Sequence, residues 1–254
     1  MPRTAPIAIA LALALGLAGP ALAQSGFDPA QMSDAQREAF RDEVRNYLME
    51  HPEVILEAVN AMEQRQADAK AAQDVDLVQV NADAIFDDGY SWVGGNPDGD
   101  ITVVEFMDYR CGYCRKAFDE VNELIASDGN IRFVVKEFPI LGEASVLSSR
   151  FAVAAKQVAG DEAYHAVHDA LMGFTGQPNE VELTRLAESL ALDPAPILAA
   201  MDSDAVTQEL KDTRALAERL QINGTPTFVI GDQMVRGYVP IDGMRQIVED
   251  VRTE

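Results

Sequence analysis

Apolar positions fall at helical spacing early in this chain, turn into nearly unbroken runs in the middle, and return to helical spacing afterwards. Phe40, Val44, Tyr47 and Leu48 recur at i, i+4, i+7 and i+8, one face of a helix. Ser33 followed by Gln36 has the form of a capping box. Pro52 interrupts the pattern and is best placed as the first residue of a second helix, where its missing N–H costs nothing. Ile55, Leu56, Val59 and Met62 continue the stripe, after which the segment becomes polar and alanine-rich. The stripe is narrow and finds no partner within the arm. It must fold back on the following domain or pair with copies of itself, and because that domain looks complete without it, self-association is favoured.

From about residue 84 the pattern changes. Gly94 to Asp100 is a turn cluster, and Ile101 to Tyr109 is an apolar run of the kind buried on both faces of a sheet. A helical pattern runs from Cys114 to about Gly129, and Ile131 to Ile140 is a second buried strand. Strand, helix and strand at this spacing predict a parallel βαβ unit. From Glu143 to about Gln221 the spacing is helical, with breaks at Gly160–Asp161, Thr175–Asn179 and Asp193–Pro196, so about four or five helices are expected. Thr225 to Ile230, a turn at Gly231–Asp232 and a short strand from Met234 to Gly237 come next. A last helix is expected from about Ile241 to Arg252.

Composition narrows the class of function. The 254 residues are 48% hydrophobic, ordinary for a folded protein, and carry a formal charge of −22. A chain so acidic repels nucleic acid and anionic lipid surfaces, so no nucleic-acid partner is expected. Residues 1–23 combine Arg3, an apolar run from Ala5 to about Gly19, and Ala21-Leu22-Ala23, the pattern of a cleaved secretory signal peptide. Export makes disulfides durable, yet the only cysteines are Cys111 and Cys114, two residues apart. So short a ring gains little as a clasp. Zinc needs further ligands, and the three histidines, His51, His165 and His168, do not accompany the pair; His165 and His168 read as surface residues.

What remains is redox chemistry. Cys111 stands where a strand gives way to a helix, and the helix N-terminus stabilises a thiolate there. Cys114, one turn further in, is placed to resolve a mixed disulfide. Glu105 interrupts the apolar strand six residues earlier. It is either a proton acceptor for Cys114, a strand-end carboxylate reaching solvent, or the partner of Lys136 on the neighbouring strand. Thr225-Pro226 opens a strand, at an edge or a strand start.

The segments VVEFMDYRCGYC and INGTPTFVIG, with a helical block between them, resemble the thioredoxin superfamily and within it the DsbA-like thiol–disulfide oxidoreductases, over about residues 84–254. The resemblance implies an α/β thioredoxin fold with an inserted helical domain at about 141–221, preceded by a helical arm at 24–83. It implies a cis peptide bond at Pro226, with Thr225 and Pro226 contacting the client peptide, Glu105 as the buried acid behind Cys111 and Cys114, and no metal or organic cofactor. The dipeptide Gly112-Tyr113 offers no imidazole to the thiolate and is similar to that of DsbC-type isomerases. The arm YLMEHPEVILEAVNAMEQRQ is similar to the N-terminus of the suppressor-of-copper-sensitivity C and Com1-like proteins; in the former the arm makes an oligomer. The expectation is a periplasmic disulfide isomerase or reductase, with outer-membrane association implied by the Com1-like likeness. Its partners would be cysteine-containing client proteins, a membrane or periplasmic redox partner, and further copies of itself bound through residues 33–75. The alternatives are a disulfide-forming oxidase and a thiol-based copper-binding protein.

Overall fold

A computed structural model describes residues 29–253; the leader expected at 1–23 lies outside them. The chain forms two units, the first ending at Ala61 and the second beginning at Met62. In the first, helix α1 (Asp34–Glu50) opens on the expected capping box: the Gln36 N–H donates to Ser33 Oγ at 3.3 Å, and the Ser33 N–H donates to Gln36 Oε1 at 3.0 Å. Helix α2 (Glu53–Val80) starts one residue after Pro52. Phe40, Val44, Tyr47, Ile55, Leu56 and Val59 all lie exposed, so the stripe read from the sequence is a surface stripe.

The second unit takes in the rest of α2. Val78, near its end, is buried, as is Ile85 in the short helix α3 (Ala82–Phe86). The boundary expected at residue 83 therefore falls inside this unit. The physical reason is that Val78 and Ile85 help cover one face of the sheet, packing with Val104, Phe106, Val134 and Val229.

The sheet has five strands in the order β1-β3-β2-β4-β5: β1 (Trp92–Gly95), β2 (Ile101–Met107), β3 (Ile131–Glu137), β4 (Thr227–Ile230) and β5 (Gln233–Arg236). β2 and β3 run parallel, joined by helix α4 (Gly112–Asp128), which is the expected βαβ unit; the other pairs are antiparallel. The sequence pattern places Gly94 and Gly95 in a turn and predicts no strand at β1. A four-residue edge strand ending in two glycines has too short a pattern to register, and its pairing with β3 supplies what its side chains do not.

Alternation along β2 and β3 sorts side chains to two faces. Val103, Met107, Phe133 and Val135 face a core shared with α4 and with α10 (Ile241–Thr253), while Val104, Phe106 and Val134 face the core that includes α9 (Asp204–Arg219). Five helices intervene between β3 and β4: α5 (Glu143–Ala159), α6 (Asp161–Met172), α7 (Glu180–Ser189), α8 (Pro194–Ala200) and α9. Glu105 pairs in register with Val135, and Phe106 with Lys136, so Glu105 and Lys136 point to opposite faces. Lys136 instead reaches the Asp88 carboxylate and the Ala84 carbonyl, which removes the Glu105–Lys136 pairing considered from the sequence.

Candidate active site

The site is assembled at the end of β2. After Met107 the chain turns through Asp108, Tyr109 and Arg110, and Cys111 caps α4 with an extended backbone. Asp108, fully buried, fixes this turn. Its Oδ1 accepts the Arg110 N–H at 2.7 Å, its Oδ2 accepts the N–H groups of Ile140 and Leu141 at 2.8 and 3.0 Å, and its carbonyl accepts the Cys111 N–H at 3.0 Å. A second lock is Arg115, whose guanidinium donates to the carbonyls of Tyr109 and Phe174.

Both cysteines are thiols here. Cys111 keeps 7% of its surface and Cys114 none, so Cys111 is the more accessible of the two. Cys111 is held down at a pKa of about 5. The hydrogen bond from Cys114 is the main cause; it outweighs the burial that pulls the other way, and Thr225 and the N–H groups of Cys114 and Tyr113 add to it. Cys114 is pushed far up, first by its own hydrogen bond to Cys111, then by burial and by the negative charge of Glu105. The two thiols are thus polarised in opposite senses: one attacks at neutral pH, and the other must lose a proton before it can act.

Glu105 lies under them with 4% of its surface exposed and a pKa pushed up to about 8, by burial first and then by Cys111. Its Oε1 has no hydrogen-bond partner among the described residues. A carboxylate that is buried, unpaired at one oxygen and electrostatically linked to both cysteines is suited to take a proton and give it back.

Across from the cysteines, the Thr225–Pro226 peptide bond is cis. The Cys111 thiol donates to the Thr225 carbonyl at 3.1 Å. The Pro226 carbonyl is itself held by the Gly237 N–H at 2.9 Å. Gly112 faces open space, and Tyr113 is exposed. All seven residues read from the sequence (Glu105, Cys111, Gly112, Tyr113, Cys114, Thr225 and Pro226) therefore belong to one end of the sheet.

Sequence reasoning missed a polar cluster behind this turn. The hydroxyls of Tyr109 and Tyr164 donate to Glu137 Oε1 at 2.6 and 2.7 Å, and His168 Nδ1 lies 3.0 Å from the Tyr109 hydroxyl. His168 is buried, with its pKa pushed down to about 3 by burial and then by His165, so its reading as a surface residue is corrected. The i, i+3 spacing with His165 hid this: α6 turns His168 inward and leaves His165 partly exposed, stacked on Trp92. Glu137 carries the same signal as Glu105, a carboxylate in an apolar strand, and was readable by it. Among the described residues no group of three or more His, Cys, Asp or Glu is placed to hold a metal ion.

Comparison with known proteins places this geometry. Residues 102–249 match the model of the DSBA-like thioredoxin domain, and residues 36–69 match that of the copper resistance protein ScsC N-terminal domain. Among solved structures, a thioredoxin-like oxidoreductase from Silicibacter pomeroyi DSS-3 is 42% identical, with a TM-score of 0.64, over 68% of this chain and 99% of that one. BcfH from Salmonella enterica Typhimurium is 28% identical, with a TM-score of 0.71, over 86% of this chain and 96% of that one. A Na(+)/H(+) antiporter, NhaA 1 from Salinispora arenicola, is 29% identical over 166 residues, 61% of this chain and 24% of the antiporter. The chain thus spans about a quarter of the length of that curated relative. No helix among the described residues is long and apolar enough to cross a membrane.

Proposed function

This chain belongs to the family of DSBA-like thioredoxin domains, and on that premise we propose that it is an exported thiol–disulfide oxidoreductase that reduces or rearranges wrong disulfides in periplasmic client proteins. The observation that carries the reading is geometric: Cys111 caps α4 with its sulfur 3.1 Å from the Thr225 carbonyl at the cis Thr225–Pro226 bond, while Cys114 is fully buried one turn further in, over Glu105.

The steps follow from those positions. A client strand lies along the Thr225–Pro226 edge, and the Cys111 thiolate attacks one sulfur of the client disulfide. That S–S bond breaks, a Cys111–client disulfide forms, and the second client sulfur leaves as a thiolate that takes a proton from water. Two outcomes are then open. The freed client thiolate can attack another client disulfide, and the thiolate released by that exchange attacks the mixed disulfide, so that Cys111 is released, the client is re-paired and no net electrons move. Otherwise Cys114 passes its proton to Glu105 in its ionised form, which gains population once the mixed disulfide removes the Cys111 charge beside it, and attacks Cys111 Sγ. The client leaves reduced by two electrons and the protein keeps the Cys111–Cys114 disulfide, to be reduced again by a membrane or periplasmic dithiol partner.

Gly112-Tyr113 supports the isomerase or reductase reading, because it places no imidazole beside the thiolate. One observation favours disulfide-forming oxidation as the second reading: a thiolate as stable as that of Cys111 stabilises the reduced protein and makes the oxidised one a better electron acceptor. A copper-binding reading has its thiol ligands in Cys111 and Cys114, because residues 36–69, which match the copper-resistance model, contain no cysteine. The arm's exposed stripe supports self-association through residues 33–75.

The deciding experiment is recovery of a client protein with scrambled disulfides, run with catalytic amounts of the reduced mature chain. Recovery that is lost in Cys111→Ser is expected. Failure of the wild-type chain to accelerate recovery, together with rapid oxidation of a reduced client, would hand the assignment to the oxidase.

A further inference from the structure

Beside the reactive thiol stands an aromatic pair that the redox steps do not use. Tyr113, between the two cysteines, leaves 63% of its surface exposed. Its ring stacks on Tyr238, with centroids 6.3 Å apart and planes 24° from parallel. Tyr238 lies in the loop between β5 and α10, and that loop is held firmly. The Tyr238 hydroxyl donates to Glu120 Oε1 at 2.7 Å, and the Ile241 N–H donates to Glu120 Oε2 at 2.7 Å, which ties the loop to α4. The Lys116 ammonium stands 4.1 Å from the centre of the Tyr238 ring. One residue back, Gly237 holds the Pro226 carbonyl. The pair therefore bridges the two strips of chain that flank Cys111, the cysteine turn and the Thr225–Pro226 edge.

We infer that Tyr113 and Tyr238 form a specificity ledge that accepts an aromatic or large aliphatic side chain flanking the client's reactive cysteine. The inference rests on the oxidoreductase reading above and names the kind of client that reading takes. Two rings already stacked and anchored offer contact area at low entropic cost, and a further ring gains from packing against them edge-on or offset. A basic client side chain would meet Lys116. An acidic one would gain only an exposed ion pair, which is worth little. Large apolar side chains are hidden in native proteins, so the ledge marks cysteines in chains whose packing has failed.

The test uses the full reduced chain and three short peptides. Each holds one cysteine as a mixed disulfide with thionitrobenzoate, and the cysteine is flanked by Phe, Ser or Glu. Attack by Cys111 on the peptide sulfur breaks the peptide–thionitrobenzoate bond, forms the Cys111–peptide disulfide and releases the coloured thiolate. Wild type is expected to favour the Phe peptide over the Ser peptide by about threefold to tenfold in rate constant at low peptide concentration. Tyr238→Phe, which keeps the stack and loses the bond to Glu120, is expected to keep most of this preference. Tyr238→Ala is expected to bring the ratio close to one. Equal wild-type rates, a preference for Glu, or a preference untouched in Tyr238→Ala would each overturn the ledge, and the wild-type ratios are readable even if that variant does not fold. Absence of reaction with any peptide, while an alkylating reagent still modifies Cys111, would sink the oxidoreductase reading instead and take the ledge with it.

Discussion

Glu105 and Cys111 shift in opposite directions, and each shift has a consequence that can be measured. Glu105 is raised to about 8. For an acid raised on folding, the stability it contributes is complete below its ordinary carboxylate pKa and is lost as pH rises through the folded value. At pH 7 most of that loss has accrued, on the order of 3 kcal/mol. Glu105→Gln should therefore stabilise the protein at pH 7, by roughly 1–3 kcal/mol, and change little at pH 4; denaturant titrations at the two pH values check this. The same variant should slow release of a Cys111–client mixed disulfide by about tenfold to a hundredfold, since Cys114 loses its proton acceptor. Cys111 behaves in the reverse sense. Its folded pKa of about 5 lies below that of a free thiol, so it adds stability to the reduced protein that is present in full above the free-thiol value and lost as pH falls through about 5. Alkylation of Cys111 should accordingly show a midpoint near pH 5, with Cys114 unmodified, as peptide mass mapping would report. A midpoint near 8 would remove the activated nucleophile from the mechanism.

Elements bring these residues together, and their hinges are the positions where backbone leaves no choice. Gly95, at the end of β1, has φ +66, and a Cβ there would run into the Ile131 carbonyl oxygen. Gly95→Ala should cost at least about 1–2 kcal/mol from the left-handed backbone alone, visible as a lower melting temperature with Cys111 reactivity retained. This edge is also the part of the sheet the sequence did not display. The buried strands β2 and β3 and the cysteine-bearing α4 were legible because long apolar runs and a helix start leave strong patterns. Trp92–Gly95 was not, because its pairing comes from backbone hydrogen bonds to β3 and not from alternating side chains. The candidate site residues were legible for a related reason: a carboxylate in an apolar strand and paired cysteines at a helix start are chemical oddities. Asp108, Tyr109 and Tyr238 were not, since each is an ordinary residue whose role arises from partners distant in sequence, such as Ile140, Glu137 and Glu120. The spacing of His165 and His168 misled for the same reason, because burial of one helix face is decided by what packs on it.

At the scale of the whole molecule, the arm and the redox unit must be separated at the right residue before either can be assigned a task. A cut at residue 82 removes Asp74 and Val78. Burial alone would raise the Asp74 pKa, but the hydrogen bonds and charges of Arg236 and Lys70 hold it down, and its Oδ1 accepts the Arg236 guanidinium at 3.0 Å. Arg236 lies in β5 next to Gly237, the residue that grips Pro226. Losing Val78 would expose apolar area worth roughly 1.5–3 kcal/mol, and losing Asp74 would strip the partner from Arg236, so activity missing from such a chain would say nothing about the arm. A chain beginning at Met62 keeps both residues and removes most of the exposed stripe. Light scattering should then give a multimeric mass for the full mature chain and a monomeric mass for the chain from Met62, with Tyr47→Glu and Ile55→Glu in the full chain lowering the mass as well. Salt should strengthen the association, because copies carrying about −22 charges each repel one another until screened. Cys111 alkylation at pH 7 should proceed at equal rates in both chains, since its activation arises within the second unit, whereas recovery of a scrambled client should fall several-fold without the arm if neighbouring active sites act on one client. A monomeric full chain, or recovery unchanged after removal of the arm, would separate self-association from the function and leave the redox unit acting alone.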